Sequence, residues 1–201
     1  KFDRKGDPVI KRIFDNGKTT LLFVGRVIPN KKFEDIIKTF YFYKREFNPD
    51  SQLILAGDTR GMERYTAALF GLVDRLDLKD VHFTGHVEFE ELSAFFKTAD
   101  VYLSMSEHEG FGVPLLEAFK NRIPVVAYDA GAVAETMNGG GILLRKKDFY
   151  GAAALIHALE REKTLRAAII DGQMQALKRY ERENVTRILM KHIAEVNRNE
   201  G

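Results

Sequence analysis

Apolar residues in this chain gather in short unbroken runs, separated by longer stretches of helical periodicity. The runs are Thr20–Gly25 (TLLFVG), Gln52–Gly57 (QLILAG), Val81–Gly85 (VHFTG), Val101–Leu103 (VYL), Pro124–Tyr128 (PVVAY) and Ile142–Leu144 (ILL). Runs of this length bounded by glycine or polar turns predict buried strands. Because most are continuous rather than alternating, the strands are expected in a parallel sheet covered on both faces. Between them, Phe33, Ile36, Ile37 and Phe40 share one helical face, and Tyr65, Leu69, Leu72, Val73 and Leu76 share another within a helix predicted over Glu63–Leu76. Shorter helices are predicted over Glu91–Ala99, from Pro114 onward and over Val133–Met137. From Phe149 the pattern is helical to the end, with Ala152, Leu155, Ile156 and Leu159 on one face and Leu165, Ala168, Ile169 and Ala176 on another. Alternation of this kind predicts an α/β fold with a doubly wound parallel sheet.

The organisation reads as a single domain over 1–201: a lead-in segment (1–18), strand–helix alternation (20–145) and C-terminal helices (149–201). Val9, Ile10, Ile13 and Phe14 give the lead-in a short helical pattern. Near the other end, Asn184 is expected to cap a last helix containing Val185, Ile188, Leu189 and Ile193.

Composition narrows the function classes. A net charge of +2, from 31 basic and 29 acidic residues, is too small to argue for nucleic acid or an anionic membrane as a partner, and no nucleic-acid partner is expected. The chain has no cysteine, which excludes disulfides and thiolate metal sites. No apolar run approaches the roughly 18 residues of a membrane span, so no transmembrane segment is expected. Lys1–Lys18 is too charged to resemble a signal peptide. A cytoplasmic location fits these features. The chain does not begin with methionine, which suggests a fragment of something longer.

Chemistry concentrates in Ser104–Ala118, SMSEHEGFGVPLLEA. After the VYL strand comes a polar loop with Gly110 and Gly112, then Pro114 at the expected first position of a helix. A helix start offers free backbone amides and the positive end of the dipole to an anion. Glu109 in the loop and Glu117 in the helix bracket that cradle, and ionised carboxylates accept from paired hydroxyls of a hexose or ribose. An anion cradle between two hydroxyl binders describes a nucleotide-sugar; the plainer alternative is a solvated Glu109 and a Glu117 that complements the helix dipole. Earlier in the chain, the loop Gly25-Arg26-Val27-Ile28-Pro29-Asn30-Lys31-Lys32 follows the first strand. There Arg26 can fork onto phosphate oxygens and Lys31 can add a point charge, or both can be solvated loop charges. His108 between two glutamates does not make a metal site, because three successive side chains seldom converge on one ion. The triple glycine Gly139–Gly141 precedes a strand and lacks a following Lys-Ser/Thr pair, so it is not a phosphate loop.

EGFGVPLLE, with seven residues between Glu109 and Glu117, resembles the E-x7-E motif of the retaining GT-B glycosyltransferases of glycosyltransferase family 4 (group 1). GRVIPNKK resembles that family's second signature, G-R-x-x-x-x-K-G, with Arg26 and Lys31 at the diphosphate-binding positions and Lys32 where many members carry glycine. The resemblance covers residues 20–160 and corresponds to the C-terminal, Rossmann-like, donor-binding half of such an enzyme; by this reading an N-terminal acceptor domain is expected to be absent from the sequence. It implies transfer of a hexosyl group from a GDP- or UDP-linked donor to a glycan or lipid-linked acceptor, as in polysaccharide biosynthesis, with no metal or other cofactor. The full-length protein would then be cytoplasmic, with room for a peripheral position at the inner face of the membrane. Arg26, Lys31 and Glu109 would carry the chemistry. Gly25, Arg26, Lys31, Glu109, Gly110, Phe111, Gly112, Val113 and Glu117 would hold the donor, with Glu117 on the ribose and Gly85, His86 and Val87 near the base. Glu135 would anchor the segment following the fifth strand. A non-catalytic nucleotide-binding or regulatory α/β module is the alternative. A phosphorylase would need a lysine-bound pyridoxal phosphate, to which no segment points, and a receiver-like domain would want acidic residues where Gly25-Arg26 stands.

Overall fold

The computed structural model describes residues 7–187 and 189–190. Six strands, β1 (Thr19–Val24), β2 (Ser51–Ala56), β3 (Val81–Gly85), β4 (Val101–Ser104), β5 (Val125–Tyr128) and β6 (Ile142–Leu144), form one sheet in the order β3-β2-β1-β4-β5-β6. All neighbouring pairs are parallel. The fold is therefore the Rossmann-like α/β arrangement expected from the runs. The central strands are apolar throughout because helices cover both faces; Leu21, Leu22, Leu53, Ile54, Val101, Leu103, Val125 and Val126 are completely buried. Each such side chain contributes about 1.5–3 kcal/mol by leaving water.

The α-helices up to Leu177 are α1 (Pro8–Phe14), α2 (Phe33–Phe42), α3 (Glu63–Arg75), α4 (Phe89–Thr98), α5 (Val113–Lys120), α6 (Val133–Met137), α7 (Phe149–Arg161) and α8 (Lys163–Leu177). α2 runs on into a π-helical turn, Tyr43–Phe47. It packs against α3 and α7, while α1 lies on α4, and α5 packs against α6 and α8. Gln173 of α8 is wholly buried and spans to the start of β5, accepting from the Val125 N–H (2.8 Å) and donating to the Ile123 carbonyl (2.8 Å).

Several boundaries differ from those read in the sequence. α4 starts at Phe89, ahead of the expected Glu91, because Glu88 and Glu91 form a reciprocal capping box. α5 starts at Val113 behind a left-handed Gly112 (φ 75°), which puts Pro114 second in the helix. Proline is tolerated there because the first four N–H groups of a helix have no intrahelical partner. Leu155, expected on the core face of α7, is 37% exposed, and Ile170 joins the buried side of α8. Asn184 lies inside the helical segment 182–187 and does not cap it; its amide donates to the Lys178 carbonyl. Ile188 and Ile193, expected in that helix, lie outside the described residues.

Candidate functional site

β1 and β4 are far apart in sequence yet adjacent in the sheet, with Leu21 opposite Val101 and Leu22 opposite Tyr102. From this junction the chain winds outward through β2 and β3 on one side and β5 and β6 on the other. The loops that leave β1 and β4 lie at the carboxyl ends of the strands, where open α/β sheets bind ligands. The first loop carries Arg26 and Lys31, the second Glu107, His108, Glu109 and the glycines.

The two loops meet. The Lys31 ammonium lies 2.7 Å from a Glu109 carboxylate oxygen and 3.3 Å from the His108 carbonyl. Both side chains of the pair are largely enclosed, at 17% and 14% exposure. Beneath them the Tyr102 hydroxyl accepts from the Val24 N–H and donates to the Val24 carbonyl (3.2 Å). Burial, reinforced by the nearby Glu109 and Glu117 carboxylates, raises the pKa of Tyr102 far above the usual phenol range. The backbone of Glu109 is held from the far side by Ala132, whose N–H donates to its carbonyl (3.0 Å). A Cβ on Gly131 would stand 2.6 Å from that same carbonyl oxygen, and Gly131 also has φ 58°, so glycine is required there twice over.

Around this pair lie groups without partners. Among the described residues, the N–H groups of Gly110, Phe111, Gly112 and Val113 meet no acceptor, whereas the Leu115 N–H is used by the Gly112 carbonyl. Four such donors at a helix start form an anion-binding surface. Glu117, one turn into α5, is half-buried, and none of the described residues bonds to its carboxylate. Burial alone raises its carboxyl above the ordinary range. An ionisable group desolvated without compensation is an unfavourable arrangement for a fold and a common one for a site. Arg26 is exposed, and no described residue bonds to its guanidinium. Gly25 lies directly before it, at the end of β1.

The remaining candidates sit further out. A Cβ on Gly57 would fall 1.8 Å from the Gly25 carbonyl oxygen, and the Gly57 N–H donates to the Gly85 carbonyl (3.1 Å), so the loops after β1, β2 and β3 stack tightly. This puts Gly85 (φ 70°), His86 and Val87 on the same sheet edge, two strands from β1. His86 is exposed and faces Glu88 at 3.6 Å; it does not join the Lys31–Glu109 pair. Phe111 is 47% exposed, stacked edge-on against Tyr180, and its carbonyl accepts from the Thr136 hydroxyl. Thr136, rather than Glu135, therefore ties α6 to the glycine loop. The Glu135 carboxylate faces Arg179 at 3.6 Å instead.

Sequence reading missed Glu107 and Lys147. Glu107 accepts from Lys147 (2.7 Å) and lies 3.1 Å from Lys32, and Lys147 also bonds Asp35 (2.8 Å). No local pattern announces contacts made between loops of different strands. Lys32, at the end of the GRVIPNKK loop, adopts the left-handed conformation (φ 51°) that glycine favours. Among the described residues no group of three or more His, Asp or Glu is gathered as for a metal ion, and no helix is long and apolar enough to cross a membrane.

The family model for glycosyl transferases group 1 matches residues 9–175. The O-antigen chain mannosyltransferase B of Escherichia coli is 28% identical over 167 residues, which is 82% of this chain and 43% of that protein. Among solved structures, Anabaena Alr3699/HepE in complex with UDP and glucose superposes with a TM-score of 0.77 at 23% identity, over 95% of this chain and 53% of that one. The C-terminal domain of the group 1 family protein LpcC from Francisella tularensis superposes at 0.71 and 22% identity, covering 87% of this chain and 93% of that domain. This chain spans less than half the length of the curated relatives it matches. With the matched model running from α1 into α8, the chain belongs to the group 1 glycosyltransferases.

Proposed function

We propose that this chain is the donor-binding domain of a retaining glycosyltransferase. It would hold a nucleoside-diphospho-hexose while the hexosyl group passes to a glycan or lipid-linked acceptor bound by another domain. The observation that carries the reading is the Lys31–Glu109 pair at the β1/β4 junction, flanked by four N–H groups and a Glu117 carboxylate that have no partner among the described residues. A diphosphate fits the Lys31 ammonium, the Arg26 guanidinium and the amides of Gly110–Val113. Sugar hydroxyls fit Glu109, and ribose hydroxyls fit Glu117. Gly85, His86 and Val87 would border the base. The complex of the similar HepE with UDP and glucose supports a donor of this class.

In the transfer, the bond from the anomeric carbon to the diphosphate oxygen breaks and its electron pair leaves with the nucleoside diphosphate, while an acceptor hydroxyl oxygen bonds to the anomeric carbon and its proton passes to the departing phosphate. The growing charge on that oxygen meets Lys31, Arg26 and the loop amides, fixed donors of the kind that often supply the largest catalytic term. Two cations and four amides would do this without a metal ion. Glu109 would orient the hexose and is not assigned as a base. Acceptor and linkage would be set outside this chain, and a cytoplasmic site of action is part of the same reading.

Calorimetric titration with UDP, GDP, ADP and their hexose conjugates, with and without Mg²⁺, tests the proposal. Metal-independent binding of one nucleotide family, weakened in Arg26→Ala and in Glu117→Ala, is the expected result. A full-length enzyme that transfers sugar undiminished with both residues replaced would overturn it.

A further inference from the structure

Glu107 grips both neighbours of Lys31. Its N–H donates to the Asn30 carbonyl (2.8 Å), and its carboxylate lies 3.1 Å from the Lys32 ammonium. Asn30 and Lys32 bracket Lys31 in the loop after β1, while Glu107 stands two residues before Glu109 in the loop after β4. One residue thus joins, by backbone and by side chain, the two loops that supply the candidate phosphate cation and the candidate sugar carboxylate. Glu107 is itself held by Lys147 (2.7 Å), whose ammonium also bonds Asp35 (2.8 Å), a residue of α2 that is only 7% exposed. The string Lys32–Glu107–Lys147–Asp35 therefore ties together the β1 loop with α2, the β4 loop, and the segment between β6 and α7. Lys32 has φ 51°, a conformation that a non-glycine residue keeps only where its surroundings enforce it. Glu107 and Glu34 (3.7 Å) are the carboxylates that hold its ammonium.

The direct Lys31–Glu109 pair cannot by itself keep the two loops in register once a donor is bound. A diphosphate on Lys31 and hydroxyls on Glu109 compete for the same atoms that now face each other at 2.7 Å. The ties through Glu107 use other atoms and survive ligand entry. We infer that Glu107, held by Lys147, is a positioning residue that fixes the distance between Lys31 and Glu109, so that diphosphate and hexose are recognised together. The inference rests on the donor-binding reading above. Misplacement of positioned groups by a fraction of a bond length is enough to lose much of their joint effect.

Two measurements on Glu107→Gln, Lys147→Met and Lys147→Arg test it. The first needs no ligand: amide hydrogen exchange at residues 105–109 and at Lys31 and Lys32. Exchange there is expected to quicken about tenfold in Glu107→Gln and Lys147→Met while β1 and β4 stay protected, and to return near wild type in Lys147→Arg. The second compares dissociation constants for UDP against UDP-glucose and for GDP against GDP-mannose. The advantage of the sugar conjugate over its nucleotide should shrink about fivefold or more in Glu107→Gln, because the hexose then gains less from a displaced Glu109. Glu107 is 47% exposed at its side chain, so its replacement leaves the fold intact even where Lys147→Met unsettles Asp35. Unchanged loop exchange, or an unchanged conjugate-to-nucleotide ratio with only a lower melting temperature, would overturn the inference and leave a structural ion pair. If the wild-type chain binds none of the four ligands while the loop exchange responds as described, the tie between the loops stands and the donor reading is what fails.

Discussion

The two ends of the sheet differ in what they leave unpaired. At the amino-terminal end, Glu160 of α7 accepts from the Tyr43 hydroxyl (2.7 Å), the Asn48 amide (2.8 Å) and the Thr19 hydroxyl (3.1 Å). Asp80 there takes Lys18 (2.6 Å) and Lys44 (3.1 Å), and Asp100 accepts from the Thr20 N–H (2.8 Å). At the carboxyl-terminal end, Glu117 has no partner among the described residues, Arg26 has none, and the N–H groups of Gly110–Val113 are open. Satisfied polar groups hold elements together and have little left for a ligand. Unsatisfied ones weaken the fold and stand ready to bind. The contrast, more than the count of charges, separates the structural end of this molecule from its functional end.

Substitutions at each end sharpen that contrast. The largest effect is expected where the two concerns meet, in the packed loops of the carboxyl-terminal end. Gly57→Ala would force a methyl against the Gly25 carbonyl oxygen, 1.8 Å from the ideal Cβ position. We expect a loss of about 3 kcal/mol or more in urea unfolding, together with weakened nucleotide binding as the Arg26 loop is pushed away. Next, Glu160→Ala should cost about 3 kcal/mol by taking the acceptor from the buried Tyr43 hydroxyl and from the half-buried Thr19 hydroxyl. Nucleotide affinity of the folded fraction should be unchanged, and a tenfold loss of affinity would blur the division between the two ends.

Glu117→Gln should do the reverse. Removing a charged acceptor from ribose hydroxyls is expected to cost about 1.5–3 kcal/mol of binding, roughly tenfold to a hundredfold in Kd by calorimetry. Stability should rise at neutral pH. Burial raises the Glu117 carboxyl, so the folded state binds this proton more tightly than the unfolded chain does. Its contribution therefore favours the fold at low pH and is lost as pH rises from the unfolded value through the raised folded one. The gap in stability between Glu117→Gln and wild type should accordingly open across that window and close below it. The smallest change in the fold is expected for Arg26→Ala: unfolding free energy within about 0.5 kcal/mol of wild type, with a weaker diphosphate complex. A marked drop in its melting temperature would mean that Arg26 has a structural partner.

Much of this architecture is legible in the sequence because it is local. Continuous apolar runs fix the strands, the three-and-four spacing fixes the helices, and the glycines of EGFGVPLLE announce a loop opening onto a helix. Glu109 and Glu117 could be singled out because their spacing and their glycines lie in one stretch. Asn184 and Pro114 were misplaced by a residue or more because capping depends on where the preceding chain arrives, which local sequence only partly dictates. The sheet order, the meeting of Lys31 with Glu109 and the hold of Lys147 on Glu107 are decisions of the tertiary structure. Each depends on which strands pair across long stretches of chain, and that is settled by burial of both sheet faces at once. The same holds for what is missing at Glu117: a sequence displays a carboxylate, but only the packed structure decides whether anything answers it.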